Sequence, residues 1–226
     1  MTSTPQGAAP QGGPDALDRT AEEAGFYHEA ALGATWTGSR LAMGGLTFLF
    51  GSFVFAYFYL RSINSAGLWH GPLYHRPNVA LGTTIIGLIV ISAIIQTMVL
   101  SRIKAGNKGA WVTGSWVGLV LGVAAVALMI LQLLFLPFWP GSSGFASVFT
   151  GTYPVYLTAV LAVMIWLETL LMRSRAFPAI HFVEQPPTFT EAFAVQRFQA
   201  NLSAFTAMWN YMAIVGLVFW VLFYLL

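Results

Sequence analysis

The sequence predicts an all-α integral membrane protein with five transmembrane helices. Hydrophobic residues make up 57% of the chain and charged residues 8%, whereas about 25% of the residues of a typical soluble domain are charged. The uncharged stretches are uniformly apolar and as long as the roughly 20 helical residues that cross a hydrocarbon core, which favours helices over short alternating strands. The net charge of +2 and the lack of a dense basic run argue against binding of nucleic acid.

The uncharged intervals place the five helices in chain order. An arginine lies at each end of the first two intervals. No charged residue occurs between Gly109 and Leu167, but two prolines and a Gly/Ser cluster within 134–144 divide this interval into the third and fourth helices. The fifth helix extends to the C-terminal leucine. The predicted helices lie near residues 41–61, 79–103, 112–137, 147–173 and 200–226.

The N-terminal segment differs in composition from the rest of the chain. Residues 1–38 are rich in proline, glycine, glutamine and acidic residues and contain no apolar stretch, so we expect a disordered or extended tail. The five-helix transmembrane domain then comprises residues 39–226. No basic region followed by an apolar core precedes the first helix, so we expect that helix to direct membrane insertion without a cleavable signal.

The distribution of lysine and arginine predicts the orientation. Of the ten basic residues, only Arg61 and Arg76 lie on the side that holds the first and third loops. Because basic residues accumulate on the cytoplasmic side of membrane proteins, we expect a cytoplasmic N-terminus and an outward C-terminus in a multi-pass protein of a bacterial-type plasma membrane.

Residues that could bind a metal or a cofactor are sparse. The chain has no cysteine, and its four histidines all fall in the tail or in predicted loops: His28, His70, His75 and His181. Haem or copper held between helices requires side chains that project into the bundle. We therefore expect no haem or metal within the membrane and no catalytic centre in this chain. His70 and His75 alone are weak support for a metal site outside the membrane, and solvated loop histidines are the simpler interpretation.

Glu168 is the only carboxylate within a predicted span. Intramembrane carboxylates are candidates for proton or ion transfer. Glu168 also lies close to a predicted helix end, where its carboxylate could extend to the interface or pair with Arg173 or Arg175. The structural interpretation is the simpler one, and a proton or ion role is the alternative.

Buried polar and small residues predict contacts between helices. Gln132 lies within the third span, where an amide side chain is expected to form hydrogen bonds to a neighbouring helix. Gly114, Gly118 and Gly122 recur every four residues on the same helix and predict a closely packed helix pair, with lipid contact as the alternative.

Two tyrosines flank a proline in the fourth span. Tyr153 and Tyr156 are three residues apart and share one helix face, where we expect the rings to pack and the hydroxyls to find polar partners. Membership of an interfacial aromatic belt is the alternative. Pro154 predicts a kink if the helix begins near Ser147, and no distortion if it begins at Thr152.

Four segments together resemble a known family. The first, Phe48–Arg61, ends in AYF-x-x-R; the second, 121–133, carries Gly122 and Gln132 ten residues apart; the third and fourth are SVFTGTYPVYLTAV and AMWNYMAIVGLVFWVLFYLL. In this order they resemble subunit III of haem-copper oxidases, over about residues 40–226. That family has seven-helix and five-helix forms with a cytoplasmic N-terminus, and the chain resembles a divergent five-helix member.

The chain departs from the family at its ionisable positions. Leu46 stands where the family commonly has a buried glutamate, Tyr153 and Tyr156 stand for two histidines, and Asn210 stands for a histidine of the last helix. The resemblance therefore transfers the scaffold and none of the functional side chains.

The resemblance implies a role and a set of partners. It implies a noncatalytic subunit of a respiratory, proton-translocating terminal oxidase that uses cytochrome c or quinol. Haem and copper would lie in a subunit I-like catalytic partner, beside further oxidase subunits, and phospholipid would occupy grooves of this chain. The alternatives are an accessory subunit of a nitric oxide reductase and an unrelated small membrane transporter or channel component.

Overall fold

The computed structural model describes residues 14–64, 69–70, 77–175 and 189–226. Every regular element in these ranges is a helix, and five of the helices are long and apolar enough to cross a membrane. The last helix continues directly into one π-helical segment, Val221–Leu225. The helices are α1 (Pro14–Ile63), α2 (Val79–Lys104), α3 (Lys108–Leu134), α4 (Gly144–Ser174) and α5 (Phe189–Trp220).

Three polar side chains fix where α2, α3 and α4 begin. The side-chain oxygens of Asn78, Asn107 and Ser143 accept hydrogen bonds of 2.9–3.1 Å from backbone N–H groups in the first turn of these helices. Such caps satisfy backbone donors that have no partner within the helix. The helices α3 and α4 begin earlier than the predicted residues 112 and 147. The prediction used the uncharged intervals, which contain no information about caps.

The connection between α2 and α3 is short because Gly106 closes the C-terminal end of α2 and the next residue, Asn107, is the N-cap of α3. Gly106 has a φ of 82°, a left-handed conformation that glycine adopts without strain. Its N–H donates to the carbonyl of Ile103, and the N–H of Asn107 donates to the carbonyl of Arg102, which completes the C-terminal cap of α2. The two helices are therefore antiparallel neighbours.

α4 and α5 each contact three other helices. α5 contacts α1, α2 and α4, whereas α4 contacts α1, α3 and α5, and α3 also packs against α2. The largest side chains buried almost completely include Trp111 in α3 and Trp209 in α5. The bundle has two ends: the α3–α4 end, where α3 ends and α4 begins, and the opposite α2–α3 end.

The first helix differs from the expectation of a disordered or extended tail over residues 1–38. α1 is continuous for 50 residues from Pro14, or roughly 75 Å at 1.5 Å per residue. Residues 15–32 contain five alanines, three glutamates, two leucines and one arginine, all of which favour helix. Extension of an existing helix also avoids a new nucleation step. Residues 1–13 lie outside the described ranges, so the expectation for them stays a prediction.

Candidate functional site

The main polar feature of the bundle is a hydrogen-bonded group near the α3–α4 end, here called the Gln132 cluster: Gln132, Tyr153 and Tyr224. The hydroxyl of Tyr153 donates to Oε1 of Gln132 at 2.6 Å, and Nε2 of Gln132 donates to the hydroxyl of Tyr224. Gln132 and Tyr153 are buried. The cluster therefore joins α3, α4 and the π-helical segment that follows α5.

Aromatic rings surround the Gln132 cluster. Phe149, one turn before Tyr153, stacks on its ring with centroids 5.0 Å apart. Phe223 meets Phe149 edge to face at 5.1 Å. Gln132 and Tyr153 are buried among these rings, so their hydrogen bond lies in a medium of low dielectric constant, where a bond is stronger and a missing bond costs more.

Tyr156 connects α4 to α5. Its hydroxyl donates to the backbone carbonyl of Met212 at 2.9 Å, and its ring packs edge to face against Phe50 and Phe219. Gly216 makes this approach possible, because a Cβ at that position would overlap the Tyr156 hydroxyl. Both tyrosines are thus buried between helices and do not belong to a lipid-facing aromatic belt.

Asn210 connects α5 to α2. Its Nδ2 donates to Oγ1 of Thr97 at 2.9 Å, and that hydroxyl donates to the carbonyl of Ala93 at 3.0 Å. The pair is partly exposed on the flank of the bundle. Tyr153, Tyr156 and Asn210 therefore all form hydrogen bonds between helices.

A second buried group was not predicted from the sequence. Oγ of Ser92 donates to the carbonyl of Gly118 at 2.9 Å and accepts from Nε1 of Trp209 at 3.1 Å. Ser92 and Trp209 have no exposed surface, and together they hold α2, α3 and α5. The available signal was Trp209 itself, because a buried indole N–H requires an acceptor.

The glycine row of α3 lies against other helices. A Cβ at Gly114 would overlap Val99, and one at Gly118 would lie 2.5 Å from Nε2 of Gln96; both neighbours belong to α2. At Gly122 the neighbour is Met164 of α4. The row thus contacts α2 at its first two positions and α4 at the third, rather than lipid.

Glu168 lies apart from these groups. Its side chain is exposed on α4, and within the described part of the chain it forms no ion pair with Arg173 or Arg175. The spacing explains this result, because residues five and seven positions apart on a helix do not lie side by side as residues three or four apart do.

The structure describes only part of the histidine set. His28 falls within α1, and His70 is partly buried with its ring 5.6 Å from that of Phe145. His75 and His181 lie outside the described residues. In the ranges that the structure covers, no three His, Asp or Glu side chains come together as a metal site would require.

Pro154 lies in the interior of α4, ten residues after its first residue, Gly144. The carbonyl of Thr150 therefore has no backbone N–H to accept from at position 154. The kink predicted at this proline stays a prediction.

Comparison with known proteins gives no assignment. The chain matches no protein-family model, and a search of curated proteins finds no significant match.

Side-chain hydroxyls, amides and one indole make the hydrogen bonds between helices described above. These groups carry no charge, and Glu168 is not among them. Their arrangement can hold helices in a fixed register, and it contains no acid–base pair for chemistry.

Proposed function

We propose that the chain is a noncatalytic, subunit III-like scaffold of a respiratory haem-copper terminal oxidase. In this proposal it stabilises a catalytic subunit that carries haem and copper, and it holds phospholipid beside an oxygen-reducing, proton-translocating complex. The N-terminus is cytoplasmic and the C-terminus lies outside the plasma membrane of a bacterial-type cell.

One observation carries the proposal. The positions that resemble the family's histidines hold Tyr153, Tyr156 and Asn210, and each side chain bonds to a different helix. Side chains that connect helices suit a scaffold. The four resembling segments supply the family, and the five spanning helices agree with its five-helix form.

Purification of the tagged chain from its native membrane in a mild detergent tests the proposal. We expect a haem- and copper-containing protein to co-purify in near-equal amount and the complex to reduce oxygen. The isolated chain should give no stoichiometric Soret band. Co-purification with no haem protein would refute the oxidase assignment, and a complex that reduces nitric oxide but not oxygen would favour a nitric oxide reductase.

The orientation has a direct test, because the chain contains no cysteine. Ala105→Cys lies in the exposed α2–α3 connection, and Ser142→Cys lies in the exposed α3–α4 connection. A membrane-impermeant thiol reagent added outside intact cells should label only the Ser142→Cys chain. Labelling of only the Ala105→Cys chain would reverse the proposed orientation.

A further inference from the structure

One face of α4 combines apolar exposure with a carboxylate. Leu161, Ile165 and Met172 are 38%, 58% and 44% exposed, and Glu168 is exposed between them. The spacing of four, three and four residues places these side chains on one stripe of the helix. This stripe is called the Glu168 face. Leu167 and Leu170, on the opposite side, are buried in the bundle.

The geometry of α4 keeps the Glu168 carboxylate within the apolar part of the helix. Glu168 precedes the last residue, Ser174, by six positions, or roughly 9 Å along the axis. Side chains on an α-helix lean toward its N-terminus. The carboxylate of Glu168 therefore leans toward the middle of α4 and away from the nearer helix end, which opposes its extension to water.

Side chains of α4 offer the carboxylate no partner. The positions three and four residues away are Met164, Ile165, Leu171 and Met172, all apolar. In the described part of the chain, no side chain from another helix pairs with Glu168 either. A carboxylate in an apolar membrane environment is costly unless a cation or a hydrogen-bond donor approaches it.

The outward face of α3 is a comparison surface in the same bundle that carries no charged side chain. Val120, Val123 and Ile130 are 63%, 56% and 44% exposed, and all three side chains are aliphatic. Lipid requires no carboxylate, so the Glu168 face differs from the α3 face in the one feature that calls for a complementary charge.

We propose that the Glu168 face is the docking surface for a transmembrane helix of the catalytic subunit. That helix carries an arginine, a lysine or another hydrogen-bond donor opposite Glu168. Charge complementarity selects the chemistry of the partner, and Leu161, Ile165 and Met172 supply the apolar contact around it. The identity of the partner as the catalytic subunit rests on the proposed function.

Site-specific photo-crosslinking in the native membrane tests the surface. A photo-reactive amino acid is placed at Ile165, with the matched control at Val120 on the α3 face. We expect Ile165 to cross-link to the haem-bearing subunit severalfold more strongly than Val120. Mass spectrometry of the product should locate a basic or hydrogen-bond-donating side chain within one helical turn of the cross-linked residue.

Substitution of the carboxylate supplies a second measurement. Glu168→Leu should lower the amount of haem protein retained per chain severalfold, and Glu168→Gln, which keeps hydrogen-bonding capacity, should lower it less. Thr113→Leu is the control, because Thr113 is exposed at the same end of the bundle, five residues from the beginning of α3. We expect this control to retain the haem protein like the unmodified chain.

The outcomes separate this inference from the proposed function. If the haem protein co-purifies but Ile165 does not cross-link to it and Glu168→Leu changes nothing, the docking surface is refuted while the oxidase assignment stands. A cross-link between two copies of this chain would overturn the choice of occupant. So would a cross-link to a different membrane protein in a preparation without haem, which would also refute the proposed function.

Discussion

At the residue scale, Tyr153 and Tyr156 donate hydrogen bonds to two different kinds of acceptor. Tyr153 donates to the side-chain oxygen of Gln132, which is buried. Tyr156 donates to the carbonyl of Met212, a group that lies within α5 and can also accept from its own helix. Loss of the two hydroxyls should therefore have unequal effects.

We predict that Tyr153→Phe destabilises the protein more than Tyr156→Phe. The first change leaves a buried amide oxygen unsatisfied, at a cost of about 1–3 kcal/mol, whereas the second removes a bond worth about 0.5–1.5 kcal/mol. Thermal unfolding of the purified chain in detergent measures both. Tyr59→Phe is the control, because Tyr59 is 54% exposed. Equal losses for Tyr153→Phe and Tyr156→Phe would contradict the assigned bonds.

Thr152 offers a prediction of the opposite sign. It has no exposed surface, and its hydroxyl has no hydrogen-bond partner in the part of the chain that the structure describes. Valine has nearly the same shape without the polar atom, so Thr152→Val should raise the stability by about 1 kcal/mol. The measurement is the unfolding midpoint in detergent.

Thr206→Val is the matched control for Thr152→Val. Thr206 is also buried, but its hydroxyl donates to the carbonyl of Leu202 at 2.9 Å. This control should not gain stability. Thr152 also lines a cavity of about 30 Å³, enough for a water molecule. A loss of stability for Thr152→Val would show that its hydroxyl is bonded to water there, contrary to the prediction.

At the element scale, the neighbours of the α3 glycines predict how an added methyl group is tolerated. At Gly114 the neighbour is Val99, a β-branched side chain with few rotamers, and at Gly122 it is the flexible end of Met164. Gly114→Ala should therefore cost about 1–3 kcal/mol by overpacking, and Gly122→Ala should cost less. Accumulation in the membrane and unfolding in detergent measure the difference.

Gly87→Ala is the control for the α3 glycines. Gly87 lies in the interior of α2, and a Cβ there would meet nothing within 4 Å. This change should be neutral or should raise the stability by up to about 1 kcal/mol, since alanine favours helix over glycine. A loss at Gly87 equal to that at Gly114 would show that close packing does not explain the glycine row.

The number of spanning helices could be predicted from the sequence, whereas the residues at which they begin could not, and both results have physical reasons. The length and apolarity of each interval report the thickness of the membrane, so five spanning helices were predictable. Cap geometry at Asn107 and Ser143 is local and depends on backbone conformation, which composition does not contain. The helical extension of α1 from Pro14 was missed because its composition resembles a solvated tail, although its residues favour helix.

At the scale of the whole molecule, contacts between distant residues were harder to predict than the helices. The sequence singled out Gln132 and Tyr153 separately, but their common partner Tyr224 lies 92 positions from Gln132. Ser92 and Trp209 are 117 positions apart and gave no shared pattern. The length and apolarity of an interval report which segment is helical, whereas a polar contact depends on the rotation of two helices about their axes.

The last prediction concerns the complex in which the chain is proposed to act. Removal of this chain from the assembled oxidase should leave the initial turnover per haem nearly unchanged and shorten the active lifetime severalfold. The buried groups that join its helices are neutral hydroxyls, amides and an indole, and Leu46 cannot relay a proton. The chain can therefore hold a partner in place, but among the described residues these helix-joining groups do not ionise near neutral pH and cannot supply protons to that partner. Oxygen uptake over time by complexes purified with and without the chain, normalised to haem content, separates initial turnover from active lifetime.

A severalfold fall in initial turnover would instead assign a proton-transfer role to the chain. Glu168, its one carboxylate within a predicted span, would then be the group to examine.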